Sequence, residues 1–280
     1  MVDILDYVKL KKEKLKEEVL NLPKKPKLVV VQIGNDKASS SYIKSKKKLC
    51  EEIGLNFKHV HIENYEDIPE KEVLLTILDE SIDSTVDGII LQLPIPDKYD
   101  LDTLQKAIYE DKDVDGFREN SDFTPCTPKG IMDWLDYNNY NVEGKNVTVI
   151  GRSKIVGRPL VDLLIDRGAT VTCCNSKTKG LRQHTCNADL VISAVGKAKF
   201  LDSSYFTNTE LVVDVGINRD KNGKLCGDVD YEDVVNNLEN IYVTPVPNGV
   251  GKLTVLSLIE NTIEAYKRKI VLAHWQKENK

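Results

Sequence analysis

Long apolar runs are missing from this chain of 280 residues. None approaches the roughly 18 residues of a membrane-spanning helix. The N-terminal stretch "MVDILDYVKLKKEKLKEEVLNLP" is a charged amphipathic helix pattern without the apolar core of a secretory signal. The expectation is a soluble, cytoplasmic protein with no membrane partner. Paired cysteines are missing too. Cys50, Cys126, Cys173, Cys174, Cys186 and Cys226 are scattered with no C-x-x-C spacing, so they read as reduced, buried small side chains. The four histidines, His59, His61, His184 and His274, stand apart from the cysteines, and no metal is expected. His59 and His61 in "KHVHIE" share one face of a strand; that spacing suits a metal less readily than a solvated or cross-strand pair. No G-x-S-x-G elbow occurs, which argues against a serine hydrolase. No long basic tract occurs either, and the formal net charge is −5, so nucleic acid is not an expected partner.

What is present is an alternation of strand and helix patterns, in a chain long enough for two domains. Strands are expected at "KLVVVQIG" (27–34), "NFKHVHI", "DGIILQLPIP" (87–96), "NVTVIG" (146–151), "ATVTCCN" (169–175), "ADLVISAVG" (188–196) and "ELVVDVGI" (210–217). Between them lie helical patterns such as "EKEVLLTILDESI" and "RPLVDLLIDRG", and "TVLSLIENTIEAYKRKIVLAHW" reads as a long last helix. Strands this rich in valine and isoleucine, spaced by helices, imply parallel sheets covered on both faces. The fold class is α/β, in two lobes.

One lysine cluster separates on a helical wheel. In "SSSYIKSKKKLCEEIGL" (39–55), at about 100° per residue, Tyr42, Ile43, Leu49, Cys50 and Ile53 share an arc about 120° wide. Lys46 falls near its middle, whereas Lys44, Lys47 and Lys48 point away. An amine drawn into an apolar stripe must snorkel, find a partner or lower its pKa. In the last case it can move protons near neutral pH.

"VTVIGRSKIVGRPL" (147–160) follows a strand and opens a helix, the place of a dinucleotide turn. Gly151 starts the turn, Ser153 stands where a second glycine is usual, and Gly157 follows. The next strand ends in Asn175, Ser176, Lys177 and Thr178. It lacks the acidic residue that holds an NAD ribose. With Arg152 and Ser153 on the turn, the donors suit a 2′-phosphate, and NADP is the expected cofactor.

These stretches, together with "KDVDGF", "PCTPKG", "GDVD" and "TPVPNGVGKLT" in this order, resemble the bifunctional methylenetetrahydrofolate dehydrogenase/cyclohydrolase family over nearly the full length. The resemblance implies oxidation of 5,10-methylenetetrahydrofolate by NADP and hydrolysis of the methenyl product to 10-formyltetrahydrofolate, a pair of steps in one-carbon metabolism. It implies Lys46 as the proton-transfer residue, Gln92 as its hydrogen-bonding partner, Asp115 as acceptor for the pterin and Tyr42 as a surface for the benzoyl ring. Leu91, Leu93, Pro247, Asn248, Gly249, Val250 and Gly251 would complete the folate contacts. Gly151, Arg152, Ser153, Ser176 and Ile217 would contact the cofactor. It further implies a folate-binding catalytic lobe at 1–122, a Rossmann-like nucleotide lobe at 123–251, a C-terminal helix at 252–280 returning to the first lobe, and a homodimer. The sequence departs from the family pattern at three places. Asn175 replaces a usual histidine, Asn248 a glycine, and Lys252-Leu253 a proline-methionine pair.

Three other readings are weighed. A short-chain dehydrogenase also uses Tyr-x-x-x-Lys, but there the glycine-rich turn precedes the tyrosine, the reverse of the order here. A nucleotide-sensing module gives no reason for a lysine inside an apolar arc. A cyclohydrolase alone, with weak or absent dehydrogenase activity, is the remaining alternative.

Overall fold

The computed structural model describes residues 1–278. In chain order its elements are α1 (Ile4–Leu20), β1 (Lys27–Ile33), α2 (Lys37–Ile53), β2 (Asn56–Ile62), α3 (Glu70–Ile82), β3 (Gly88–Leu91) and α4 (Leu101–Lys106). Then follow α5 (Cys126–Tyr137), β4 (Asn146–Ile150), α6 (Gly157–Asp166), β5 (Thr170–Cys174), α7 (Leu181–Cys186), β6 (Leu190–Ser193) and β7 (Leu211–Asp214). The last are β8 (Asn218–Arg219), β9 (Leu225–Cys226), α8 (Tyr231–Asn237), β10 (Tyr242–Val243) and α9 (Val250–Glu278). The chain divides into two compact units, Leu10–Cys126 with Val255–Lys280, and Met1–Lys9 with Thr127–Thr254. Most of α9 therefore belongs with the first of these, as the fold class expects.

The unit around Leu10–Cys126 has a three-stranded parallel sheet in the order β2-β1-β3. Its central strand, "KLVVVQI", is buried from Leu28 to Ile33, on both faces. Val29, Val31 and Ile33 pack with Ile77 of α3 and Ile89 and Leu91 of β3, each contributing about 1.5–3 kcal/mol by leaving water. β2 lies at the edge, and none of its residues is fully buried. There His59 and His61 stack, with ring centroids 5.2 Å apart. His59 Nε2 donates to Gln32 Oε1 at 3.0 Å and His61 Nε2 to the Gly34 carbonyl at 2.9 Å. The two rings stack along one strand, and each bonds across to β1 or the residue just beyond it. The strand expected over 87–96 stops at Leu91, because Pro94 and Pro96 have no N–H to continue a ladder. The Leu93–Pro94 peptide is cis.

The unit around Thr127–Thr254 has a five-stranded parallel sheet in the order β10-β7-β6-β4-β5. β4 lies between β5 and β6, so the order reverses there, and ligands in such sheets bind beyond the carboxyl ends of the strands at that point. Ile150 of β4 pairs with Cys174 of β5, and Gly151 N–H donates to the Cys174 carbonyl at 2.9 Å. The turn after β4 and the end of β5 are thereby fixed side by side. The cysteines are all free, but only Cys50, Cys126, Cys174 and Cys226 are buried. Cys173 is exposed, because β5 is an edge strand and successive side chains point to opposite faces. No helix among the described residues is long and apolar enough to cross a membrane.

Candidate active site

α2 is held at both ends. Asp36 caps its start, accepting the Ser39 N–H at 2.7 Å, and Gly54, at φ 100°, closes its end. An N-cap of this kind contributes about 1 kcal/mol, and the apolar stripe sets the rotation of the helix. That rotation buries Ser39, Ile43, Lys46, Cys50 and Ile53. Lys46 is 8% exposed, while Lys44, Lys47 and Lys48 are exposed, the last two facing Glu51 and Glu52 one turn on. The helical wheel separated the amines correctly. Tyr42, half-buried, borders Lys46 one turn earlier, and burial raises its hydroxyl pKa.

The Lys46 amine donates to Gln92 Oε1 at 2.8 Å. Gln92 follows β3, and its N–H is tied to the Val31 carbonyl of β1 at 2.8 Å. Its amide orientation is fixed by chemistry: Nε2 donates to the Leu93 carbonyl at 2.8 Å, an atom that can only accept, which leaves Oε1 for the lysine. The same carbonyl accepts the buried Ser39 hydroxyl at 3.1 Å. Ser39 is thus a supporting residue whose partner helical periodicity does not reveal, since it lies 54 positions away.

Burial drives the Lys46 pKa down, and the negative charge of Asp115 opposes that shift. Burial raises the Asp115 pKa in turn, while the lysine charge lowers it. The result is an amine and a carboxylate that each restrain the other's drift toward neutrality. Asp115 retains some solvent contact. The Cys126 thiol lies 3.2 Å from the Val114 carbonyl and favours the Asp115 anion. Asn261 Nδ2 donates to the same carbonyl at 2.9 Å, fixing the strip from below. Asp113 is buried and anchors the turn that follows: its Oδ2 accepts the Arg118 N–H at 2.9 Å and its carbonyl the Gly116 N–H at 3.0 Å. Leu91 is buried and Leu93 half-buried, so this unit brings Tyr42, Lys46, Leu91, Gln92, Leu93 and Asp115 onto elements that converge at the carboxyl ends of β1 and β3.

In the other unit, the turn after β4 fits a dinucleotide. Gly151 has φ 117°, and a Cβ there would meet the Ala194 carbonyl oxygen at 2.4 Å. A Cβ on Gly157 would meet the Gly151 oxygen at 2.2 Å. The two glycines let strand, turn and helix approach as a phosphate-binding turn requires. Ser153 Oγ accepts the N–H groups of Val156 and Gly157 at 3.2 and 3.4 Å, which leaves its own hydrogen free to donate. Arg152, Ser153 and Ser176 are exposed at the registered ends of β4 and β5. Asn175 Oδ1 accepts the Lys177 N–H at 3.0 Å, an Asx turn that shapes the end of β5.

The 245–251 stretch is a tight turn into α9. Val246–Pro247 is cis, Asn248 sits at φ 75°, and a Cβ on Gly249 would meet the Pro245 oxygen at 2.1 Å. Asn248 therefore occupies the left-handed conformation that asparagine tolerates better than most residues. Pro247 and Asn248 are exposed, and Val250 is buried. Ile217, 48% exposed, is a large apolar side chain left open to solvent, and a Cβ on Gly251 would lie 3.7 Å from its Cδ1.

Comparison with known proteins agrees with both units. Residues 5–115 match the model of the tetrahydrofolate dehydrogenase/cyclohydrolase catalytic domain, and residues 125–270 that of the tetrahydrofolate dehydrogenase/cyclohydrolase NAD(P)-binding domain. The bifunctional protein FolD of Agathobacter rectalis is 46% identical, over 92% of this chain and 95% of its own. That of Bacillus subtilis is 40% identical over 96% and 98%. Among solved structures, the bifunctional enzyme FolD of Campylobacter jejuni superimposes with a TM-score of 0.90 at 40% identity, covering 95% of this chain and 98% of that one. The Trypanosoma brucei enzyme, solved with NADP cofactor and inhibitor, gives a TM-score of 0.88 at 27% identity, covering 96% and 98%.

Proposed function

Because the chain belongs to the tetrahydrofolate dehydrogenase/cyclohydrolase family, we propose a division of labour in which Lys46 moves the proton of hydrolysis and the turn at Gly151 holds the cofactor of oxidation. The protein oxidises 5,10-methylenetetrahydrofolate to the methenyl form with NADP and hydrolyses that product to 10-formyltetrahydrofolate. The observation that carries the assignment is the buried Lys46 amine held 2.8 Å from Gln92 Oε1.

The chemistry follows from that geometry. Water adding to the methenyl carbon forms a C–O bond and must lose a proton. An amine whose pKa burial has lowered gives up its own proton more readily and can take that one. Gln92 accepts a hydrogen bond from the amine whether it is charged or neutral, so it aims the nitrogen without fixing its charge. The hydroxyl then gives up its proton to form the formyl C=O as the C–N5 bond breaks, N5 takes up a proton, and the formyl group stays on N10. Asp115 accepts from the amino and ring N–H groups of the pterin, and Tyr42 lies along the benzoyl ring. Leu91, Leu93 and the 247–251 turn contribute further folate contacts.

NADP supplies the hydride acceptor when bound. Gly151 lets the backbone approach the phosphates, Arg152, Ser153 and Ser176 offer a guanidinium and hydroxyls to the 2′-phosphate and ribose, and Ile217 contacts the nicotinamide ring. The folate-binding residues fall mainly within 1–122 and the nucleotide-binding ones within 123–251, with 252–280 assigned to the folate lobe. The intact turn at Gly151 and Gly157 gives no support to hydrolysis alone. We further place the protein in the cytoplasm as a homodimer without a nucleic-acid partner, a reading supported by the family resemblance and the net charge of −5.

The test follows absorbance of the methenyl intermediate. With methylene substrate and NADP the absorbance rises and then decays; with methenyl substrate it decays without cofactor. Decay without any NADP-dependent rise would leave a hydrolase only, and an equal rise with NAD, unchanged in Arg152→Ala, would remove the argument for the 2′-phosphate.

A further inference from the structure

Two buried carboxylates in the nucleotide unit have no part in the chemistry above. Asp228, fully buried, accepts four hydrogen bonds: from the Ser193 hydroxyl at 2.9 Å and the Val195 N–H at 2.8 Å on Oδ2, and from the Lys197 N–H and Asn218 Nδ2, both at 2.9 Å, on Oδ1. Four donors fill the acceptor capacity of an ionised carboxylate, which has about four lone-pair sites. Asp214, 3% exposed, accepts the N–H groups of Gly216 at 2.9 Å and Asp228 at 3.0 Å on Oδ1, and of Val229 at 2.8 Å on Oδ2. Its own N–H donates to Thr244 Oγ1 at 2.8 Å.

The two groups are interlocked. A Cβ on Gly216 would come within 2.3 Å of Asp228 Oδ1, and one on Gly227 within 1.9 Å of Asp214 Oδ2. Each carboxylate fits only because the opposite segment carries a glycine. This node joins three stretches at the carboxyl ends of β6, β7 and β10, namely 193–197, 214–218 and Thr244, with a fourth, 227–229, that follows β9.

Those stretches include the surroundings proposed for the cofactor. Ile217 is flanked by Gly216, bonded to Asp214, and Asn218, bonded to Asp228. The Ala194 oxygen, which would meet a Cβ on Gly151 at 2.4 Å, lies on the segment that Asp228 holds through Ser193 and Val195. We propose that Asp228, with Asp214 behind it, is a positioning residue for hydride transfer, fixing the Ile217 side chain and the Ala194 wall of the nucleotide turn without itself touching cofactor or folate. This inference rests on the nucleotide-binding reading of Gly151 and Ile217. Hydride transfer depends on placement more than on acid or base, and a misplacement of about 1 Å can lower the rate about 10²-fold. Hydrolysis needs no nucleotide, so it is indifferent to the node.

The test is Asp228→Asn, whose amide would turn a donor toward groups that all donate. Asn218→Ala, which removes one of the four bonds and leaves the carboxylate, serves as a milder companion should the first fail to fold. In each, NADP affinity is measured by calorimetry, together with the single-turnover rate of oxidation using protiated and deuterated methylene substrate, and methenyl hydrolysis. The expected result is a fall in the hydride step of roughly 10²-fold for Asp228→Asn and several-fold for Asn218→Ala. The deuterium isotope effect should be fully expressed, NADP affinity should change by less than the rate, and hydrolysis should stay within about twofold. An unchanged hydride step in folded Asp228→Asn, or in Asn218→Ala if the first does not fold, would overturn the positioning role. So would parallel losses of both activities, which would mark a contribution to stability alone. Absence of NADP-dependent oxidation in the unsubstituted protein would instead overturn the nucleotide-binding reading itself.

Discussion

Lys46 and Gln92 meet at 2.8 Å across 46 positions of sequence, the amine from the middle of α2 and the amide oxygen from just beyond β3. The contact matters because the amide cannot neutralise the amine. It orients the nitrogen, while burial and the Asp115 charge set its affinity for the proton.

Gln92→Glu tests that separation. A carboxylate in the same place would favour the charged amine and raise the Lys46 pKa. The acid limb of the pH profile for methenyl hydrolysis is expected to move to higher pH, with slower turnover at neutral pH. An unmoved limb would mean that Lys46 is not the titrating group.

The turn at Asn248 makes a prediction about stability. At φ 75°, alanine in place of asparagine is expected to lower unfolding stability by about 1 kcal/mol, and glycine to leave it nearly unchanged. Chemical denaturation of the three proteins measures this; equal stability of the alanine and glycine variants would show that the loop does not enforce the left-handed conformation.

Asp214 ties stability to pH. Burial and the Asp228 charge push its pKa up to about 7, against the bonds it accepts from backbone N–H groups. The folded state therefore keeps a proton that the unfolded chain releases near the ordinary carboxyl value of 3.8. Wherever the folded state binds more protons, raising the pH destabilises it. The Asp214 contribution is fully present below about pH 3.8, declines through the interval, and is lost above about pH 7. Between pH 5 and 7.5 the melting temperature of Asp214→Asn is expected to fall less steeply than that of the unsubstituted protein, and parallel curves would contradict the assignment.

Much of this was legible in the residues. The alternation of valine-rich strands and helices identified the parallel sheets. The helical period placed Lys46 inward and its three neighbours outward, since helix rotation is set by the apolar stripe itself. β3 was drawn too long because its apolar pattern continues past the point where prolines end the ladder. The Asp214–Asp228 node and the Ser39–Leu93 bond were not legible. They join groups 14 and 54 positions apart on different segments, and buried polar bonding of that kind leaves no local periodicity. Cys126 read only as a small buried side chain, because nothing in its neighbourhood of sequence shows that it lies beside the charge of Asp115.

The central claim is that the Lys46 amine carries the proton of hydrolysis. It is tested most directly by single-turnover methenyl hydrolysis in Lys46→Gln, with folate binding measured in parallel. Hydrolysis is expected to fall by about 10²–10⁴-fold while folate still binds. A Lys46→Gln protein that binds folate and hydrolyses it at the unsubstituted rate would contradict it.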